Sequence, residues 1–253
     1  MKAILQPFYF VGRNEREVRE YGQQLEQLKR LYGEDAEFLE EKEFGSEIPK
    51  EAQAIIFPQL FGAVFREKER LGKIELPIII LTSEFGTVEM WDWEIVAWLR
   101  DELHLNVFSP YKEELARVIL RTIAAKAKMR SGMKFLMMQD DPGEGMQAYL
   151  FKRFYWWDED CTKEIEDAFG LKILYRSWKE VNEQAEGFTD EEALALWQER
   201  AVPTEGVPEK NILKAVKLYM AIRALIREIG GVQGVGCNCL NESFHSKTTP
   251  CLA

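Results

Sequence analysis

Histidine and cysteine are scarce in this chain, and most of what there is lies at one end. Two histidines and four cysteines occur in 253 residues, and Cys237, Cys239, His245 and Cys251 all fall within the last seventeen. Cysteines so few and so placed are no disulfide framework for a chain of this size. Reduced thiols are the expectation. No apolar run reaches the ~18–20 residues that a membrane helix needs. The N-terminal MKAILQPFYFVGR lacks the small-residue cleavage site of a signal peptide and reads as a first strand. A basic face is also missing. Net charge is −10, with Lys and Arg scattered among the acids, whereas a nucleic-acid reader gathers cations to neutralise phosphates. These absences give the expectation of a cytoplasmic protein with neither membrane nor nucleic acid as partner. No short internal repeat is present.

What is there is an alternation of strand and helix signals. Residues 2–11 are apolar and aromatic, and 13–32 carry Val18, Tyr21, Leu25, Leu28 and Leu31 at helical spacing with Gly33 as the stop. AEFLEE, AQAIIFPQL and ELPIIILTS follow as strands. Residues 88–103 read as a helix with Trp91, Ile95, Trp98 and Leu99 on one side, so Trp91 and Trp98 are expected to be buried and Trp93 freer. LNVFSPY is a short strand and 111–130 a long helix.

The pattern restarts at residue 134. KFLMMQ is a strand, DDPGEG a polar turn, 145–169 a helix ending at Gly170, and LKILYRSW a strand. Thr189 and Glu192 form a capping box that opens a helix over 189–201. Pro203, Gly206 and Pro208 break the chain. A helix over 209–229 buries Ile212, Val216, Tyr219, Ile222 and Ile226, and GGVQGVGCNCL is a last strand. Alternation of this kind predicts α/β architecture. We expect two consecutive open parallel-sheet, Rossmann-like domains, 1–130 and 131–253, with helices on both sheet faces.

In open α/β sheets ligands bind beyond the carboxyl ends of strands. That rule selects Ser83–Gly86, the turn 140–145, and the segment from Asn241-Glu242. Glu242 reads either as an exposed loop glutamate or as a metal ligand or general base. Cys237 and Cys239 point to one strand face, and with His245 and Cys251 their spacing fits no common structural zinc pattern. DDPGEG has neither the P-loop lysine nor G-x-G-x-x-G, and its acids would repel phosphate. The aromatic cluster Phe151, Phe154, Tyr155, Trp156 and Trp157 fits a core, a subunit interface or a sugar-stacking surface.

Three stretches together resemble the L-fucose isomerase and L-arabinose isomerase superfamily of ketol isomerases, in particular its fucose isomerase-like branch. They are SEFGTVEMWDWEIVAWLR (83–100), DDPGEGM with FGLKI (140–173), and GVGCNCLNESFHSKTTPCLA (234–253). The resemblance covers the chain but only the first two of the family's three domains. It implies a metal-dependent interconversion of an aldose and a ketose through an enediol, with Mn²⁺ as cofactor, a monosaccharide as substrate, and a homo-oligomer, trimeric or hexameric, as the assembly. It assigns Glu242 to the metal-binding and proton-transfer position. Met146, Arg13 and Trp93 become substrate-binding candidates, and His245 has no secure counterpart. The second acidic ligand and a metal-binding histidine belong to the family's third domain. The sequence therefore reads as an N-terminal portion, inactive alone. The other readings are a non-catalytic carbohydrate- or small-molecule-binding module of two α/β lobes, and a nucleotide-binding α/β protein, against which the missing glycine fingerprint counts.

Overall fold

In a computed structural model the described residues are 1–12, 14–140, 158–200, 204–237 and 248–251. The chain divides into two compact units, Met1–Lys128 and Met129–Ala253, each built on its own parallel sheet. Both are α/β, with open, Rossmann-like sheets flanked by helices.

In the first unit β1 (Ala3–Tyr9) lies inside the sheet. β2 (Ala36–Phe38) and β3 (Lys42–Glu43) pair in succession along one side of it. β4 (Ala54–Phe57), β5 (Ile78–Ile80) and β6 (Val107–Phe108) extend the other side, and every pairing is parallel. β2 and β3 together form one interrupted edge. At the interruption the buried Gln6 side chain donates from Nε2 to the Glu40 carbonyl at 2.8 Å.

The segments AIIF of β4 and III of β5 are buried along their whole length, as strands covered on both faces must be. Their alternation sorts the core. Ile55, Phe57, Ile78 and Ile80 pack with Val64, Leu71, Val96 and Leu99, residues of the segment after β4, of α2 (Lys68–Leu71) and of α3 (Trp93–Asp101). Ala54, Ile56 and Ile79 pack on the opposite face with Leu28 and Tyr32 of α1 (Glu15–Tyr32) and with Ala116, Leu120 and Ile123 of α4 (Glu113–Arg130). Each such fully buried Leu or Ile contributes about 1.5–3 kcal/mol.

Local signals start α1 where the apolar stripe begins. Asn14 Oδ1 accepts from the Glu17 N–H at 3.0 Å, and the Asn14 N–H donates to Glu17 Oε2 at 2.8 Å, a reciprocal cap. Tyr21, Leu25 and Leu28 are buried as their spacing predicts, while Val18 is 49% exposed and Tyr32 fully buried.

The expected helix over 88–103 is shorter. A single 3₁₀ turn, Met90–Asp92, precedes α3, which starts at Trp93. Residues 88 and 89 are held outside any helix. The Val88 N–H donates to the Pro110 carbonyl and the Glu89 N–H to Thr82 Oγ1, both at 3.0 Å. Trp91 and Trp98 therefore do not share a helix face. Trp91 is 82% exposed, whereas Trp98 packs edge-on against Phe65 with ring centroids 4.8 Å apart.

The second unit has β7 (Lys134–Met138) between β8 (Lys172–Arg176) and β9 (Val232–Cys237), again all parallel. α5 (Glu159–Phe169) packs Ile165 on one sheet face beside Met137, Leu171 and Ile173. On the other face α6 (Trp178–Glu186) and α8 (Glu209–Ile229) bury Trp178, Val181, Leu218, Ile222 and Leu225 against Leu136 and Met138. The strand expected over LKILYRSW ends at Arg176. Ser177 caps α6 by accepting the Glu180 N–H at 3.2 Å, so Trp178 is a helical core residue. Thr189 and Glu192 bond reciprocally at 2.8 and 3.1 Å and open α7 (Asp190–Arg200). Of the stripe expected on α8, Val216 and Ile222 are buried, and Leu218, Ala221 and Leu225 join them. Cys161, Cys237 and Cys251 carry thiols rather than disulfides, while Cys239 lies outside the described residues.

Candidate functional site

The order β8-β7-β9 makes the boundary between β7 and β9 a topological switch point. From β7 the chain moves to β8 on one side, and from β8 it crosses back past β7 to β9 on the other; crevices for ligands open beyond strand carboxyl ends at such points. Met138 and Cys237 are register partners there. The chain leaves β7 through Gln139, which is buried, and Asp140. The Gln139 N–H donates to the Arg176 carbonyl at 3.1 Å. Asp140 Oδ2 accepts the Lys179 N–H at 2.9 Å and so satisfies a backbone donor in the first turn of α6. Met146 and Glu242 follow in the segments that leave these two strand ends, eight and five residues beyond Met138 and Cys237. Both lie outside the described residues, as do His245 and the aromatic cluster 151–157.

A second crevice belongs to the first unit. With β2 and β3 taken as one edge, the switch point is between β1 and β4. The loops beyond the strand ends on this side expose large apolar side chains: Val11 after β1, Phe65 after β4, Phe85, Met90, Trp91 and Trp93 after β5, and Tyr111 after β6. Arg13 lies outside the described residues. Trp93 is the first residue of α3 and is 41% exposed. Gln59, just past β4, has a buried Oε1 with no hydrogen-bond partner among the described residues.

The loop between β5 and α3 is fixed from beneath. Gln24 Nε2 donates to the carbonyls of Leu81 and Ser83 at 2.8 and 2.7 Å, and the Tyr32 hydroxyl donates to the Gly86 carbonyl at 2.7 Å. Gly86 has φ +71°, and a Cβ there would sit 2.7 Å from the Tyr32 hydroxyl and 2.8 Å from Leu31 Cδ1. Only glycine combines that backbone with that approach. The Ser83 and Thr87 hydroxyls bond at 2.8 Å across the turn.

Thr82 Oγ1 donates to Asp92 Oδ2 at 2.5 Å. Burial raises the Asp92 carboxyl above the ordinary range; the Thr82 hydroxyl opposes that shift, and the charge of nearby Glu89 adds to it. The Thr82–Asp92 pair was not legible in the sequence, because the two residues meet only when the loop folds back. The loop thus presents a perturbed carboxylate beside exposed indoles, a combination that suits a polyhydroxylated ligand: the acid accepts hydroxyl hydrogen bonds and the rings cover an apolar sugar face.

No protein-family model matches this chain, and no curated protein matches it. The metal implied by the family resemblance is tested by the donors present. Mn²⁺ favours an octahedral set of about six oxygens. Among the described residues no three His, Cys, Asp or Glu side chains converge, and Asp140 already accepts a helix N–H. The described residues do not make up a manganese site, and Glu242 by itself would supply at most its two carboxylate oxygens.

Proposed function

We propose that this chain is the N-terminal portion of a cytoplasmic, homo-oligomeric aldose–ketose isomerase of the fucose isomerase-like kind. The observation that carries the reading is the β7/β9 switch point, from whose two strand ends the chain runs on toward Met146 and toward Glu242. Those are the segments that carry two of the three stretches of family resemblance. The exposed Trp93 and the perturbed Asp92 at the edge of the first unit support sugar binding by the remaining stretch.

In this reading Glu242 takes the proton from C2 of the open-chain aldose and returns it to C1 of the enediol, giving the ketose, while a hydroxyl proton passes from O2 to O1. A base within hydrogen-bond reach contributes typically 10²–10⁴-fold. Met146 covers the apolar side of the chain of carbons, and Arg13 and Trp93 serve the sugar in a neighbouring subunit's site, as the family's active sites lie at subunit interfaces. Glu242 also serves as one metal ligand, and further ligands beside it are needed for turnover. No helix among the described residues is long and apolar enough to cross a membrane.

The test is Mn²⁺-dependent sugar binding. Aldoses and ketoses of five and six carbons are titrated against tryptophan fluorescence, with and without Mn²⁺, using native protein, Glu242→Gln and Trp93→Ala. The reading expects Mn²⁺ to tighten sugar binding in the native protein, no such effect in Glu242→Gln, and weaker binding in Trp93→Ala. Metal-independent sugar binding that Glu242→Gln leaves unchanged would instead establish the two-lobed binding module. Ketose formation by this chain alone would overturn the reading that further ligands are needed, and its persistence in Glu242→Gln would remove the residue from the chemistry.

A further inference from the structure

A separate cavity lies on the first unit, at the rim of the core face that α2 covers. It holds about 220 Å³ and is lined by Phe8, Phe44, Ile48 and Ile74 with Gly45, Ser46, Arg70 and Lys73. The floor is apolar and built into the core. Phe8 and Phe44 are 1% and 5% exposed and meet edge-to-face at 5.7 Å, while Ile48 and Ile74 pack against the same core cluster.

The mouth has the opposite chemistry. Arg70, in the last turn of α2, and Lys73, three residues on, both line it, and no acidic residue does. Among the described residues Arg70 bonds Glu67 through Nη1 alone, at 3.0 Å. Lys73 has no ion-pair partner among the described residues, and its side chain reaches solvent. In a chain of net charge −10, two cations line this one apolar cavity, one of them paired with Glu67 outside it.

Backbone geometry keeps the mouth open. Gly45 has φ +104°, and a Cβ there would sit 3.0 Å from Arg70 Nη1. The guanidinium therefore packs close to the bare Gly45 backbone, and among the described residues Glu67 is its one hydrogen-bond acceptor, so further N–H groups face the mouth unbonded there. The turn is fixed by the Phe44 N–H donating to the Tyr9 carbonyl at 2.7 Å and the Ser46 N–H to the Glu43 carbonyl at 3.0 Å.

From this geometry we propose that the cavity is a binding site for a small organic anion with a flat apolar body, the body on Phe8, Phe44, Ile48 and Ile74 and the anionic head between Arg70 and Lys73. An apolar cavity of about 150 Å³ accommodates benzene, so about 220 Å³ has room for a ring and a carboxylate or phosphate head. Guanidinium and ammonium together suit either head group, since arginine binds both as a fork and lysine as a point charge. The site is independent of the isomerase reading, because none of its residues belongs to the switch-point loops that reading uses.

The experiment is an amide-shift NMR titration with four probes: benzoate, phenyl phosphate, inorganic phosphate and benzyl alcohol. The expected result is a shift of the Gly45, Ser46 and Ile74 amides with benzoate and phenyl phosphate below about 10 mM. Both probes should bind at least about tenfold more tightly than benzyl alcohol or inorganic phosphate. Lys73→Glu, an exposed position whose change leaves the core intact, should weaken benzoate about tenfold or more, and Arg70→Gln/Lys73→Gln should abolish its binding. Native-like amide spectra of both variants exclude unfolding as the cause. Benzyl alcohol binding as tightly as benzoate, inorganic phosphate matching phenyl phosphate, no shift with any probe, or unchanged benzoate affinity in folded Lys73→Glu would each overturn the proposal.

Discussion

Replacing Asp35 is the sharpest test of what holds the first unit together. Its carboxylate is 5% exposed. Oδ2 accepts from Arg117 Nη1 and Oδ1 from Arg121 Nε, both at 2.7 Å. Its backbone ties α1 to the sheet, since the Asp35 N–H donates to the Tyr32 carbonyl and the Ala3 N–H to the Asp35 carbonyl, both at 2.9 Å. One side chain thus couples the end of α1, the start of β2 and the outer face of α4. A charge-assisted hydrogen bond contributes about 1.5–3 kcal/mol. The Arg121 side chain is 65% exposed and the Arg117 side chain 27%, so the Arg121 bond is discounted to about 0.5–1 kcal/mol for solvent screening. Arg117 keeps Glu113 and the Leu31 carbonyl as partners. Asp35→Ala should therefore cost about 2–4 kcal/mol, which for a unit of this size is roughly 8–15 °C in Tm.

The cost should depend on pH in a definite direction. Burial would raise the Asp35 carboxyl, but the hydrogen bonds from Arg121 and Arg117 outweigh it and hold the group below the ordinary carboxylate range. A depressed folded value means that the stabilisation is complete above the unfolded value, about 3.9, and is lost as pH falls through the folded one. The native protein and Asp35→Ala should differ fully at pH 7 and converge in strong acid. Urea unfolding followed by near-ultraviolet circular dichroism measures the difference, and hydrogen exchange at the β1 amides locates it in the first unit. A loss under about 0.5 kcal/mol at pH 7, or an equal loss at pH 7 and in strong acid, would refute the reasoning.

Other perturbations probe the loop between β5 and α3. Gly86→Ala forces a left-handed backbone on a residue with a Cβ, about 1–2 kcal/mol, and drives that Cβ toward the Tyr32 hydroxyl, so a total loss of about 2–4 kcal/mol is expected by thermal melts. Tyr32→Phe leaves the Gly86 carbonyl without its donor and should cost about 1–2 kcal/mol. Burial, with the charge of Glu113 adding to it, pushes the Tyr32 hydroxyl up to about 12. One tyrosine should therefore titrate late in an absorbance experiment, and stability should fall as pH rises from the unfolded value near 10 toward 12. Asp92 carries the opposite cost to Asp35: its folded value is raised, so its stability is complete below the ordinary carboxylate value and is lost as pH rises through the folded one. Asp92→Asn should raise Tm at pH 7 and match the native protein in acid, and it should weaken any sugar binding at this edge; a lowered Tm at pH 7 would show that the carboxylate is structural.

The sequence by itself determined the fold class, because strand and helix periods are local. The isoleucine runs of β4 and β5 could be satisfied only by burial on both faces. The Thr189–Glu192 pair sets the start of α7 within four residues of chain. The α1 stripe at Tyr21, Leu25 and Leu28 marks the face turned to the core. What only the tertiary structure decided are pairings between distant segments. Strand order put β4 rather than β2 on the growing side of β1, and β7 between β8 and β9. Those choices fix where the switch points fall, and no local period encodes them. Asp35 meets arginines 82 and 86 residues away. Trp91 kept the seven-residue spacing of a helix face yet is exposed, because the bonds from residues 88 and 89 to Pro110 and Thr82 delay the helix until Trp93. Periodicity speaks for residues inside an element, and the start of this element was set by partners elsewhere in the fold.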